Sequence, residues 1–66
     1  MKISSRKIIT LMGANLLTQQ GLAERAGVSR ATVNTALLKG SCSTQTTGKI
    51  AEALGVTPAE IIEMEV

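Results

Sequence analysis

The chain has no Phe, Tyr, Trp or His, and only one cysteine (Cys42) and one proline (Pro58) among its 66 residues. Without aromatics a core must be filled by Leu, Ile, Val, Ala and Met, which suits closely packed short helices better than a sandwich of sheets that needs bulky fillers. A single cysteine excludes an internal disulfide and a multi-cysteine zinc site. The missing histidine removes mixed Cys/His sites as well, so no metal and no cofactor is expected. Histidine is also the commonest general acid–base group, and no cluster of glutamates is paired with a nucleophile; an enzyme is not expected. No apolar run approaches the roughly 20 residues of a membrane span and no signal-peptide pattern opens the sequence. A reducing cytoplasm is the expected compartment, with no membrane partner.

The few charges present are unevenly placed. Through Lys49 the sequence holds seven cations (Lys2, Arg6, Lys7, Arg25, Arg30, Lys39, Lys49) and one acid, Glu24, a net charge of +6. From Ile50 onward come four acids (Glu52, Glu60, Glu63, Glu65) and no cation, a net charge of −4. Such segregation predicts a basic end that faces polyphosphate and an acidic end turned away from it.

Helix starts announce themselves by a recurring arrangement in which an apolar residue precedes a hydroxyl N-cap and a second apolar residue follows five places after the first. Ile3-Ser4 with Ile8, Leu17-Thr18 with Leu22, Val28-Ser29 with Val33 and Val56-Thr57 with Ile61 all fit it. The last looks the most complete, because Pro58 takes the first helical position and Glu60 can close a capping box. Gly27, Gly40 and Gly55 stand where left-handed stops are needed, and Asn15 is expected to end the first helix. The pattern predicts one all-α domain over residues 1–66 with helices at about 4–14, 18–26, 29–38, 43–54 and 57–63, good to roughly 2–4 residues. Period-two alternation and hairpin dipeptides are missing, so strands are not expected. Gly13, Gly21 and Gly48 weaken their helices locally, by on the order of 0.5–1 kcal/mol each. The hydroxyl-rich stretch Ser41–Thr47 is expected to be the most mobile. Met1, Met12 and Met64 read as gap-filling side chains, and Cys42 as inert.

Residues 19–38 carry the functional signal. They read as two short helices joined by a tight turn at Gly27-Val28-Ser29. Ala23 is small where the second helix must approach, Gly27 takes the left-handed stop, Ser29 caps the next helix, and Val28 and Val33 point into the core. The outer face of that helix then holds Arg30, Ala31, Asn34 and Thr35. One cation, one methyl group and two hydrogen-bonding side chains suit the edges of base pairs in a major groove.

Leu17-Thr18-Gln19-Gln20, Leu22-Ala23, Ala26-Gly27-Val28-Ser29, Thr32-Val33 and Ile50-Ala51-Glu52-Ala53-Leu54-Gly55-Val56 together resemble the phage repressor and Cro type of helix-turn-helix domain. The resemblance runs from about Arg6 to Ile62 and implies a compact five-helix, lambda repressor-like fold with the helix-turn-helix at its second and third helices. It also implies a sequence-specific DNA-binding transcription regulator, of the kind found as phage repressors, Cro proteins, antitoxins and bacterial regulators. Arg30 and Ala31 correspond to the residues that enter the groove first, with Asn34 and Thr35 one turn on. Thr18 and Gln19 correspond to residues at the phosphate backbone, where helix amides and dipole also favour an anion. Ser29 is placed to reach a phosphate as well as to cap, and Lys39 and the loop beginning at Ser41 match the region that commonly touches backbone. The chain departs from the family in a first helix about one residue longer than usual, in Leu16 where a glycine or polar residue is common, and in Thr47 and Gly48 where leucines are usually buried.

One recognition helix offers roughly four base-edge contacts, too few for a regulator among competing genomic sites. A homodimer, at least on DNA, is therefore expected, with double-stranded operator DNA as the ligand and the segment from Ile61 to Val66 as the contributor to the dimer contact. An alternative from another class is a small helix-turn-helix modulator that binds a repressor or toxin protein. The small number of cations, the hydroxyl-rich loop after the third helix and the acidic C-terminal half keep it open.

Overall fold

The computed structural model describes residues 1–63. Among them lie α1 (Ser5–Ala14), α2 (Gln19–Ala26), α3 (Arg30–Lys39), α4 (Thr44–Leu54) and α5 (Pro58–Ile61). Each helix begins one residue after its hydroxyl cap. The Ser4, Thr18, Ser29 and Ser43 side-chain oxygens accept from the backbone amides of Lys7, Gly21, Thr32 and Thr46 at 3.3, 3.0, 3.1 and 3.1 Å. Four orphan amides are thereby satisfied, each worth about 1 kcal/mol.

The cap expected to be most complete is the one that fails. Thr57 makes no side-chain cap bond. Its carbonyl, not its hydroxyl, takes the Glu60 amide at 3.0 Å, the bond between residues three apart that closes a single helical turn. α5 also stops at Ile61, short of the expected 63, since Ile62 turns extended and pairs with Ile3.

Gly27, Gly40 and Gly55 end α2, α3 and α4 in the left-handed region, at φ 71, 67 and 74°. Asn15 caps α1 as expected, but the left-handed position there falls on Leu16, at φ 55°. The Leu16 and Leu17 amides close back on the Gly13 and Met12 carbonyls at 3.1 and 2.8 Å, a complete Schellman turn built on a residue with a Cβ. Leu16 is 93 % exposed, so packing does not offset that strain. Gly48, inside α4, is the converse: an added Cβ would meet nothing within 4 Å. Exchanging both, Leu16→Gly and Gly48→Ala, is expected to raise stability by about 1 kcal/mol and 0.5–1 kcal/mol respectively. Thermal unfolding should show this as a gain of roughly 4–8 °C per kcal/mol. A fall in midpoint for Leu16→Gly would mean that the leucine makes a contact that the folded chain needs.

One contiguous core joins Ile3, Ile8, Met12, Leu22, Ala23, Val33, Ala36, Ile50, Ala51, Leu54 and Ile61, with Leu11, Leu17, Val28, Leu37, Cys42, Ala53 and Val56 packed around it. Both members of each apolar pair flanking a cap are in this set. α2 packs against α3 and α4, α4 against α5, and α1 against α5 and α3. Ala23, 1 % exposed, allows the close approach of the helices at the turn. Met12 fills the core as expected, whereas Met1 is half exposed and fills nothing; Met64 lies outside the described residues.

The N-terminal residues do more than enter α1. The Ile3 amide donates to the Gly40 carbonyl at 2.9 Å, Met1 and Cys42 pair backbone to backbone at 3.1 and 3.0 Å, Ser4 donates to the Ile61 carbonyl at 2.7 Å, and Glu63 donates to Lys2 at 3.2 Å. The Ser5 hydroxyl donates to the Leu37 carbonyl at 2.7 Å. Met1–Ser5 thus lies between the end of α3 and the segment after α5, making single antiparallel bridges Lys2–Ser41 and Ile3–Ile62 where no extended pairing was expected. Ser41–Thr47, expected to be the most mobile stretch, is bounded by these bonds on one side and contains the capped start of α4 on the other. Thr47 is 1 % exposed at a position where the resemblance implies a buried leucine, and its hydroxyl donates to the Ser43 carbonyl at 2.9 Å and lies 3.0 Å from Cys42 Sγ. The buried hydroxyl is therefore satisfied.

Candidate nucleic-acid interface

α3 buries Val33 and Ala36 and turns its other side outward. Steps of four residues set up two exposed rows: Arg30, Asn34 and Leu38 in one, Ala31, Thr35 and Lys39 in the other. All four residues expected to read base edges are therefore exposed and adjacent. Leu38 was not singled out from the sequence, because its residue type reads as core, yet it is 79 % exposed one turn beyond Asn34. Counting in fours from Arg30 would have found it.

Two open grooves flank this ridge. One, of about 310 Å³, is lined by Gln19, Arg30, Ala31 and Asn34. It joins the first turn of α2 to the first turns of α3, as a tight turn between two capped helices requires. The other, of about 460 Å³, lies between α3 and the start of α4, with Ala31, Thr35, Lys39, Ser41, Ser43 and Thr46 among its lining residues. Lys39 and Ser41 are thus brought to the same groove as Ala31 and Thr35. Thr46 and Ser43 join them without having been expected; their signal was the hydroxyl cap of α4, which puts both side chains at a helix start.

Thr18 and Ser29 are exposed at the starts of α2 and α3 and line neither groove among the lining residues given above. The Thr18 oxygen is engaged as a cap acceptor, which leaves its proton to give. Beside it the amides at the first turn of α2 and the helix dipole favour an anion. Ser29 and Thr32 share one hydrogen bond at 2.8 Å between their hydroxyls. Two hydroxyls and one mutual bond leave one proton for an outside acceptor. Gln19 is half-buried, Lys39 exposed and Ser41 half-buried.

Charge is arranged differently in space than along the chain. Arg6 and Lys7 share a groove with Glu60, and Arg25 and Lys49 share one with Glu52. Because α1 packs on α5 and α2 on α4, cations of the first half lie beside Glu52 and Glu60 of the second, and among the described residues the expected separation into a basic and an acidic end is not kept. Arg30 and Lys39 are the cations that line the grooves beside α3. Neither has an ion-pair partner among the described residues, so both are available to an outside anion.

No group of three or more potential metal-ligating side chains occurs among the described residues, and no helix there is long and apolar enough to cross a membrane. Among curated proteins and among solved structures no match to the chain was found. A family model described as the Cro/C1-type HTH DNA-binding domain matches residues 7–66.

Proposed function

The chain belongs to the Cro/C1-type helix-turn-helix DNA-binding domain family, and from that premise we propose that it is a sequence-specific transcription regulator that lays α3 in the major groove of operator DNA. The observation that carries the reading is the exposed ridge of Arg30, Ala31, Asn34 and Thr35, whose side chains are unpaired among the described residues and flanked by hydroxyls and a lysine. In this arrangement Arg30 forks onto guanine, Asn34 and Thr35 hydrogen-bond base edges one turn deeper, and Ala31 meets a thymine methyl. Thr18, Gln19, Ser29, Lys39 and Ser41 hold the register by touching phosphates on either side of the groove. Two copies on a two-fold axis double the base contacts and set half-site centres about 34–36 Å apart.

The experiment is selection of bound duplexes from a random-sequence pool, followed by titration of the winner and of unrelated DNA at several salt concentrations. A two-fold symmetric motif is the expected result. With two cations per copy at the α3 grooves, the slope of log affinity against log salt should be no steeper than about −4 for two copies. Lys39→Ala should weaken all sequences alike and flatten that slope by about 2. No enrichment and no measurable affinity at low salt would overturn the proposal and leave the protein-binding modulator as the better account.

A further inference from the structure

The centre line of the exposed face of α3 is apolar. Val33 and Ala36 mark the inward side of the helix, and at about 100° per residue the opposite direction falls between Ala31 and Leu38. These two are seven residues apart, so they point within roughly 20° of each other and stand about 10.5 Å apart along the axis. Arg30 and Asn34 lie to one side of that line, Thr35 and Lys39 to the other, all exposed. Among the described residues Leu38 is more exposed than any other large apolar side chain in a helix, and it lines neither of the two grooves beside α3. The end of the helix is held in place. The Ser5 hydroxyl donates to the Leu37 carbonyl at 2.7 Å, the Ile3 amide donates to the Gly40 carbonyl at 2.9 Å, and the Leu37 side chain packs on the core. Rolling Leu38 inward would break all three contacts.

We propose that Leu38 is a specificity-determining residue of this face, packing on the methyl group of a thymine about three base pairs from the one met by Ala31. The inference rests on the reading of α3 as a major-groove helix and adds to it a second apolar contact. A lone exposed leucine is ordinary on a protein surface; Leu38 differs in lying on the centre line of the face that carries Arg30, Ala31, Asn34 and Thr35. Thymine offers apolar surface in the major groove through its C5 methyl, whereas the other base edges present donors and acceptors. A leucine covering one of those edges strips its water and returns no hydrogen bond, so Leu38 favours thymine and disfavours the rest. At about 3.4 Å per base pair, the rise from Ala31 to Leu38 corresponds to about three base pairs. The contact does not depend on how two copies meet. Of the segment expected to join them, Ile61 is fully buried in its own core, Ile62 is bridged to Ile3, and Met64–Val66 lie outside the described residues.

The test replaces each thymine of the selected duplex in turn by deoxyuridine, which keeps every hydrogen-bonding group and removes only the methyl. Each duplex is titrated with the wild type and with Leu38→Ala. In each half-site one replacement is expected to weaken the wild type about fourfold and to leave Leu38→Ala unaffected. At the thymine met by Ala31, about three base pairs away, both proteins should lose alike. Leu38→Ala is expected to bind the unmodified duplex more weakly by about the same factor per half-site. Circular dichroism checks that the variant keeps its helicity, and the wild-type titrations do not depend on the variant at all. Three results on a selected duplex would each overturn this inference and leave the DNA reading intact: no thymine whose methyl matters to the wild type, sensitive thymines that stay equally sensitive in Leu38→Ala, or full affinity of Leu38→Ala for the unmodified site. A selection that enriches no duplex would overturn both.

Discussion

Arg30→Ala is expected to weaken binding to the selected DNA site by about 1–3 kcal/mol per half-site, roughly 5- to 150-fold, and to relax the preference at one base pair. The argument is geometric. Arg30 opens α3, it is exposed, it lines the groove with Gln19, Ala31 and Asn34, and among the described residues nothing competes for its guanidinium. A guanidinium so placed can meet both acceptors of a guanine edge at once, which a lysine cannot. Arg30→Lys is therefore the informative companion, since it keeps the charge and removes the fork. If the loss comes from base reading, the lysine variant should recover little of the discrimination. Equal weakening on every sequence, with full recovery by lysine, would reassign Arg30 to the phosphate backbone. Arg30 is outside the core, so the helicity of both variants should match the parent.

The second large effect concerns stability. Ile3→Ala should cost roughly 2–5 kcal/mol, a large part of the ~3–10 kcal/mol that a domain of this size holds. Ile3 is 1 % exposed and is in the core with Ile8, Ile50 and Ile61. Its amide is bonded to the Gly40 carbonyl and the residue is bridged to Ile62. Removing three carbons there opens a void where the N-terminal segment joins the end of α3 to the chain after α5. Ile9→Ala is the matched control, since Ile9 is 57 % exposed and its truncation should change stability by no more than about 0.5 kcal/mol. Urea unfolding of the two variants separates them. If the two midpoints agree, the N-terminal segment is an ornament of the fold and not part of its core.

Most of the helical framework was legible because its signals are local. Ser4, Thr18, Ser29 and Ser43 each satisfy an amide three residues away, and Gly27, Gly40 and Gly55 each take a conformation that needs no distant partner. Residue identity over four or five positions determines such features. The Thr57 cap misled although the motif was present: the single turn of α5 is closed through the Thr57 backbone carbonyl and not its hydroxyl. Leu16 shows the opposite limit. Chain direction after α1 demanded a left-handed residue there, and no local preference announced it.

By itself, then, the sequence determined the five helices, the turn between α2 and α3, and which face of α3 looks outward, since these follow from caps, stops and a 3.6-residue period. The tertiary structure decided what those helices meet. It set cations of the first half beside acids of the second by packing α1 on α5 and α2 on α4. It also drew Ser43 and Thr46 into the groove beside Thr35, and made Met1–Ser5 the backbone link between the α3–α4 loop and the end of α5. Each of these depends on contacts between residues far apart in the chain, which composition and spacing do not specify.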